Sequence, residues 1–194
     1  MPPFDVRLLC IKVGFISIIY KLIMVFLLDV FEAIKRRRSI RKYERTKIEK
    51  EKLLNVLEAA RLAPSAMNRQ PYIFVVTSDT ETIKKISSGC NQQWDSPIII
   101  AICSFPDKAW VRDDGEEYWK VDAAVAMTNL SLQACAEGLG TCWIAAFKED
   151  EIKQILGIKK GRVVAMTPLG YPAEEKGPVT NRKSIDELVQ YKNL

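Results

Sequence analysis

Residues 121–140, VDAAVAMTNLSLQACAEGLG, carry small or apolar side chains almost all the way round a helical wheel. Such a helix has little surface to give to water, so it has to be buried on most sides, inside a core or between two subunits. Gly138 marks its end, where a left-handed residue closes a helix. The rest of the chain therefore has to supply layers that cover it.

The candidates for those layers alternate along the sequence. YIFVVTS (72–78) reads as a strand, and PIIIAICS (97–104) has the unbroken apolar character of a strand buried on both faces. TCWIAAF (141–147) and RVVAMTPLGYP (162–172) read as two more, with Pro168 implying a bulge or an edge. Between them, DVFEAIKRRR predicts a short helix capped at Asp29. A second helix starts at Thr46 with Glu49 in capping-box position, and its apolar face is Ile48, Leu53, Leu57 and Ala60. A third is capped at Ser78 with Glu81, and KEDEIKQILGI predicts a fourth. The expectation is one layered domain over residues 29–194, of α/β or α+β class. Residues 105–119 read as a polar and aromatic lid or loop.

The amino-terminal 28 residues stand apart. Residues 8–28 form an apolar run about the length of a membrane span, broken by Lys12 and Lys21. Three readings stay open: a dispensable extension from a start codon assigned too early, an extra packed element, or a membrane anchor. The five cysteines form no C-x-x-C pair and sit mostly in apolar or small-residue runs, a pattern that suits a reducing cytoplasm.

The 194 residues include no histidine. That excludes Ser–His and Cys–His nucleophiles, histidine-based zinc or iron sites and a histidine base. Chemistry carried by a cofactor needs none of these. The net charge of +5 is modest for a nucleic-acid binder. Its densest concentration, KRRRSIRKY (35–43), could hold a nucleic-acid backbone, an anionic membrane or a cofactor phosphate, or could simply complement a helix dipole. In APSAMNRQPY (63–72), two prolines shape a loop bearing Ser65, Asn68 and Gln70, side chains suited to reading a polar ring edge or to forming a plain turn. GLGTCWIAAF (138–147) offers small residues where a flat ligand, or a packed strand, can come close.

Taken together and in this order, RRRSIRKY, APSAMNRQPYIFVV, DAAVAMTNLSLQACAEGLGTCWIAAF and PLGYP resemble the nitroreductase family of FMN-dependent oxidoreductases over roughly residues 29–190. The resemblance implies an α+β fold, a central mixed sheet flanked by helices, and a homodimer with FMN at the subunit interface. By position, FMN phosphate and ribityl contacts fall on Arg37, Arg38, Ser39 and Arg41, with Arg182 joining from the carboxy-terminal tail. Pro64, Ser65, Ala66, Asn68 and Gln70 would reach the flavin from the other subunit, and Trp143, Ile144, Ala145 and Ala146 would lie against its ring. In an extended segment, residues 37, 39 and 41 share a face and Arg38 points elsewhere, leaving main-chain contacts.

The activity so implied takes hydride from NADH or NADPH and passes electrons to nitroaromatic or quinone-like acceptors in a ping-pong sequence. No acid or base is needed from the protein, and no metal. Arg41 or Lys42 would stabilise negative charge on the reduced ring. Where this chain has Ala145-Ala146, many relatives place glutamate-glycine or glycine-alanine. Trp110, Tyr118 and Trp119 could line the substrate side or pack on the core. The competing readings are a flavin-fragmenting or dehalogenating member of the same fold, a non-catalytic flavin-storage protein, and a basic membrane or nucleic-acid protein.

Overall fold

The computed structural model describes residues 30–192. The apolar run 8–28 and the Asp29 cap fall outside them. Four strands form one sheet in the order β1-β2-β4-β3: β1 (Tyr72–Thr77), β2 (Ile98–Ser104), β3 (Gly140–Thr141) and β4 (Arg162–Gly170). Every pairing between named strands is antiparallel. The parallel component of the expected mixed sheet reduces to a single bridge, Ser39 to Thr141.

Helices cover both faces. The helices are α1 (Val30–Arg36), α2 (Lys50–Arg61), α3 (Thr80–Ser88), α4 (Trp119–Ala136), α5 (Glu149–Ile155) and the short α6 (Ile185–Leu188). On one face, Val56 and Ala60 of α2 and Ala123, Ala126, Met127, Leu130 and Ala134 of α4 pack on Ile98, Ile100 and Ile102. On the other, Ile83 and Ile86 of α3 and Ile152 of α5 pack on Ile99, Ala101, Val163 and Met166. The alternation along β2 divides its side chains between the two cores, so all seven of its residues are buried.

Several boundaries differ from expectation, each for a local reason. Helix α2 begins at Lys50 and not at Thr46, because the Glu49 carboxylate accepts from the Tyr171 hydroxyl and caps no amide. The Thr46 hydroxyl donates to Glu44 instead. Helix α3 is capped by Asp79, one residue after Ser78; its carboxylate accepts from the Thr82 N–H at 2.8 Å. A carboxylate is the better acceptor beside a helix N-terminus. Helix α4 ends as expected, with Gly138 at φ +76° and the Leu139 N–H returning to Ala134 O at 2.8 Å.

Pro168 sits in the central strand β4, opposite Ile99 of β2. It is tolerated because the β3 side is broken there. Strand β3 pairs at Gly140 and Thr141, and pairing resumes only at Ile144 with Met166. In the gap, the Cys142 N–H donates to the Thr167 hydroxyl, which donates to Pro168 O. In place of the expected strand 141–147 there are the two-residue β3 (Gly140–Thr141) and isolated bridges at Ile144 and Phe147.

Candidate functional site

The basic segment leaves α1 with the Arg37 N–H still bonded to Ala33 O. It then becomes extended beside β3. Ser39 bridges Thr141, the Ile40 N–H donates to Thr141 O at 2.9 Å, and Tyr43 bridges Pro172. Ile40 and Tyr43 are buried beneath the sheet. Between them Ser39 is half-buried and Arg41 and Lys42 are exposed; the two inward residues lie three apart, so the period-two alternation expected of an extended stretch does not run through the segment.

The six basic residues divide their work. Arg38 is a structural clasp: its guanidinium donates to Gly177 O at 2.8 Å, Lys35 O at 2.9 Å and Arg37 O at 2.8 Å. Arg37, half-buried, makes no side-chain hydrogen bond or ion pair among the described residues, nor does the Ser39 hydroxyl. Arg41 makes one long bond, to Ser39 O at 3.3 Å. Arg36, Arg37 and Arg38 line a groove of about 1260 Å³ with Gly138–Thr141 and the strap Pro172–Pro178. Cys135 reports their field: burial pushes its thiol up, and the three guanidiniums pull against that.

Glu174 holds the strap to this segment. Its carboxylate accepts from the Arg41 N–H at 2.5 Å and the Lys42 N–H at 3.3 Å. The Arg41 amide, followed by Lys176, keeps that carboxyl below the usual glutamate range. The tail residue that reaches the groove is Lys176, paired with Glu174 at 3.4 Å. Arg182 is exposed and makes no hydrogen bond or ion pair among the described residues. Both Glu174 and Lys176 are legible only as a charged run after PLGYP, which carries no geometric signal by itself.

Trp143, Ala145 and Ala146 are exposed along the same sheet edge as the basic segment. Ile144 is not available with them. Its side chain is 2% exposed in the core, and its N–H and C=O are both bonded to Met166. Trp119 is likewise a core residue, with its indole N–H on Glu117. Trp110 and Tyr118 stack edge-to-face within the turn 110–118.

The loop before β1 is held in a costly conformation. Met67, Asn68 and Gln70 have φ of 52°, 54° and 47°, a left-handed run without a glycine. The Gln70 N–H donates to the Ser65 hydroxyl at 3.0 Å, and the Gln70 side-chain amide donates to Asn68. The Ala66 N–H donates to Asp122 at 2.8 Å. Pro64 and Met67 are exposed.

Strand order and register set the distance between these groups. The loop enters β1 at Tyr72, level with Ser104 and Arg162, on one edge of the sheet. The basic segment lies beside Thr141, level with Leu169 and Ile98, at the other end of the other edge. Strand spacing and rise put these two corners on the order of 20 Å apart.

The fold is shared with known proteins. The model of the nitroreductase family matches residues 34–100 and 90–171. A nitroreductase family protein from Clostridium novyi NT is 38% identical, with a TM-score of 0.72, covering 76% of this chain and 87% of that one. An FMN-dependent nitroreductase from Clostridium difficile R20291 is 30% identical, also with a TM-score of 0.72, covering 84% of this chain and 98% of that one. An FMN reductase (NAD(P)H) from Bacillus subtilis is 27% identical over 85% of this chain and 75% of its own length. The chain belongs to the nitroreductase family. Among the described residues, no helix is long and apolar enough to cross a membrane.

Proposed function

We propose that this chain is an FMN-dependent NAD(P)H oxidoreductase whose flavin site is assembled from two subunits. The observation that carries the reading is the diagonal placement of the two candidate corners. One corner supplies Arg37, Ser39 and Arg41 beside Thr141, and from it the edge bearing Trp143, Ala145 and Ala146 runs on past Met166; the opposite corner supplies Pro64, Ser65, Ala66, Asn68 and Gln70 ahead of β1. A single chain holds them apart, so one ligand touching both needs a second copy. The surface of α4 agrees with this. Val121 is 46% exposed and Val125 only partly covered, although the helix has almost no polar face.

The residues present fit FMN. Arg37 is a half-buried guanidinium with no protein anion on it among the described residues, and Ser39 and the exposed Arg41 follow it in the same segment. A phosphate takes this kind of fork and hydroxyl well. Trp143, Ala145 and Ala146 present a surface without charge, suited to a ring system. The Ser65 hydroxyl accepts from the Gln70 N–H and keeps its own O–H to donate, so that loop would read the ligand through Ser65, the Asn68 amide N–H groups and its backbone.

FMN, when bound, supplies hydride acceptance from the nicotinamide and electron delivery to the acceptor. The protein's own residues would bind and orient: Arg37 and Arg41 would balance the phosphate, and Trp143, Ala145 and Ala146 would lie against the ring. Tyr43 takes no part in proton transfer, because burial pushes its phenol up and its hydroxyl is committed to Ile40 O. Nitroaromatic or quinone-like acceptors suit this reading, because they take electrons from the flavin without an acid or base from the protein. Replacing Arg37 and Arg41 together by alanine tests the phosphate contact. The wild type should bind FMN and bleach anaerobically with NADPH or NADH. The double variant should bind at least tenfold more weakly, since losing even one hydrogen bond to a charged group costs about 1.5–3 kcal/mol. Full FMN occupancy in the folded double variant would sink the assignment.

A further inference from the structure

Asp122 is the one ionisable side chain among the buried polar residues described, 2% exposed on the first turn of α4. A carboxylate is favoured at a helix N-terminus, which makes its burial tolerable. Its hydrogen bond, however, goes elsewhere. Oδ1 accepts from the Ala66 N–H at 2.8 Å, on a loop 56 residues away, and Oδ2 is buried without a partner among the described residues. The Tyr72 hydroxyl is buried and unpartnered as well, and burial followed by the Asp122 charge pushes that phenol up.

The loop that Asp122 touches carries three left-handed residues, Met67, Asn68 and Gln70, which persist only if surrounding contacts over-determine them. Its downstream end is well fixed. Pro71 O accepts from the Ser104 hydroxyl at 2.8 Å and the Phe105 N–H at 2.7 Å, and the Arg69 guanidinium donates to Ala109 O at 2.7 Å. At the upstream end, Asp122 is the side chain from the core that holds the backbone entering the turn.

We infer that Asp122 is a positioning residue. Through the Ala66 N–H it holds the 65–70 backbone in the conformation that meets the flavin, which it does not itself touch. This rests on the two-subunit FMN reading. The test compares Asp122→Ala, Asp122→Asn and a remote core truncation, Ile86→Val. For each, the FMN dissociation constant, the melting temperature of the apoprotein and hydrogen exchange at the Ala66 amide are measured. Asp122→Ala should weaken FMN at least tenfold and speed Ala66 exchange. Asp122→Asn keeps an acceptor oxygen and should stay within about threefold of the wild type, on the physics of a hydrogen bond that survives. Ile86→Val should lower the melting temperature and leave FMN affinity alone. If Asp122→Ala does not fold, Asp122→Ser, whose hydroxyl is too short to reach, takes its place. Wild-type affinity and wild-type Ala66 protection in either would overturn the role, as would Asp122→Asn being as damaging as Asp122→Ala. A wild type that takes up no FMN would overturn the flavin reading itself, a distinct result.

Discussion

At the scale of single residues, the basic cluster is a division of labour and not a uniform patch. Arg38 ties the strap through Gly177, while among the described residues Arg37 has no side-chain partner and Arg41 has one long bond. Glu174 sets the backbone beneath them, and its ionised form is the one the fold favours. Its folded carboxyl lies below its unfolded value, so its contribution is fully present above the unfolded value of about 4.3 and is lost as the pH falls through the lower folded one. Glu174→Gln should therefore melt below the wild type at pH 7, with the gap closing in acid. Thermal melts from pH 7 down to pH 3 check this, and a gap that widens in acid would contradict the assignment. None of these distinctions can be read from KRRRSIRKY itself, where all six charges look alike. The expected sharing of one face by 37, 39 and 41 is not what groups the charges: the Arg37 N–H is still bonded to the helix, and the consecutive Arg36, Arg37 and Arg38 line the groove together.

At the scale of elements, the contact between the basic segment and β3 is the most tightly built part of the site. A Cβ on Gly140 would meet Ile40 Cβ at 2.8 Å and Ile40 Cγ1 at 2.9 Å. Ile40 is buried and β-branched, so it has little room to turn away. Gly140→Ala should cost about 1–3 kcal/mol through overpacking and should weaken FMN binding by pushing Ser39 and Arg41 off the edge. Denaturant unfolding and a flavin titration on the same sample would read both effects. Wild-type stability would show that this contact is not where the segment is set. The long helix, the buried strand β2 and the Gly138 stop were legible beforehand, because burial on all sides leaves an unbroken apolar record. Strand 141–147 was not, since its pairing is cut by Pro168 on a neighbouring strand, a non-local effect. The start of α2 moved because Tyr171, distant in sequence, engages Glu49, whereas the cap of α3 moved by one residue to Asp79, whose carboxylate accepts from the Thr82 N–H.

At the scale of the whole molecule, the proposed two-subunit site rests on the order β1-β2-β4-β3. That order sends the loop 63–71 to one corner and the basic segment to the opposite one. Sequence alone pointed to the two groups by family resemblance, yet nothing local in either stretch says how far apart they lie. Distance comes from strand order, and strand order is a property of the assembled sheet. Subunit complementation tests this arrangement. One chain carries Arg37→Ala and Arg41→Ala, the other carries Ser65→Ala and Asn68→Ala, and a mixed dimer of the two is isolated through distinct tags. In that dimer one site has both intact corners and the other has neither. The account predicts flavin at one per two chains, reducible by NADPH or NADH, where each variant alone holds little. A mixed dimer as empty as its parents would contradict a site shared between subunits.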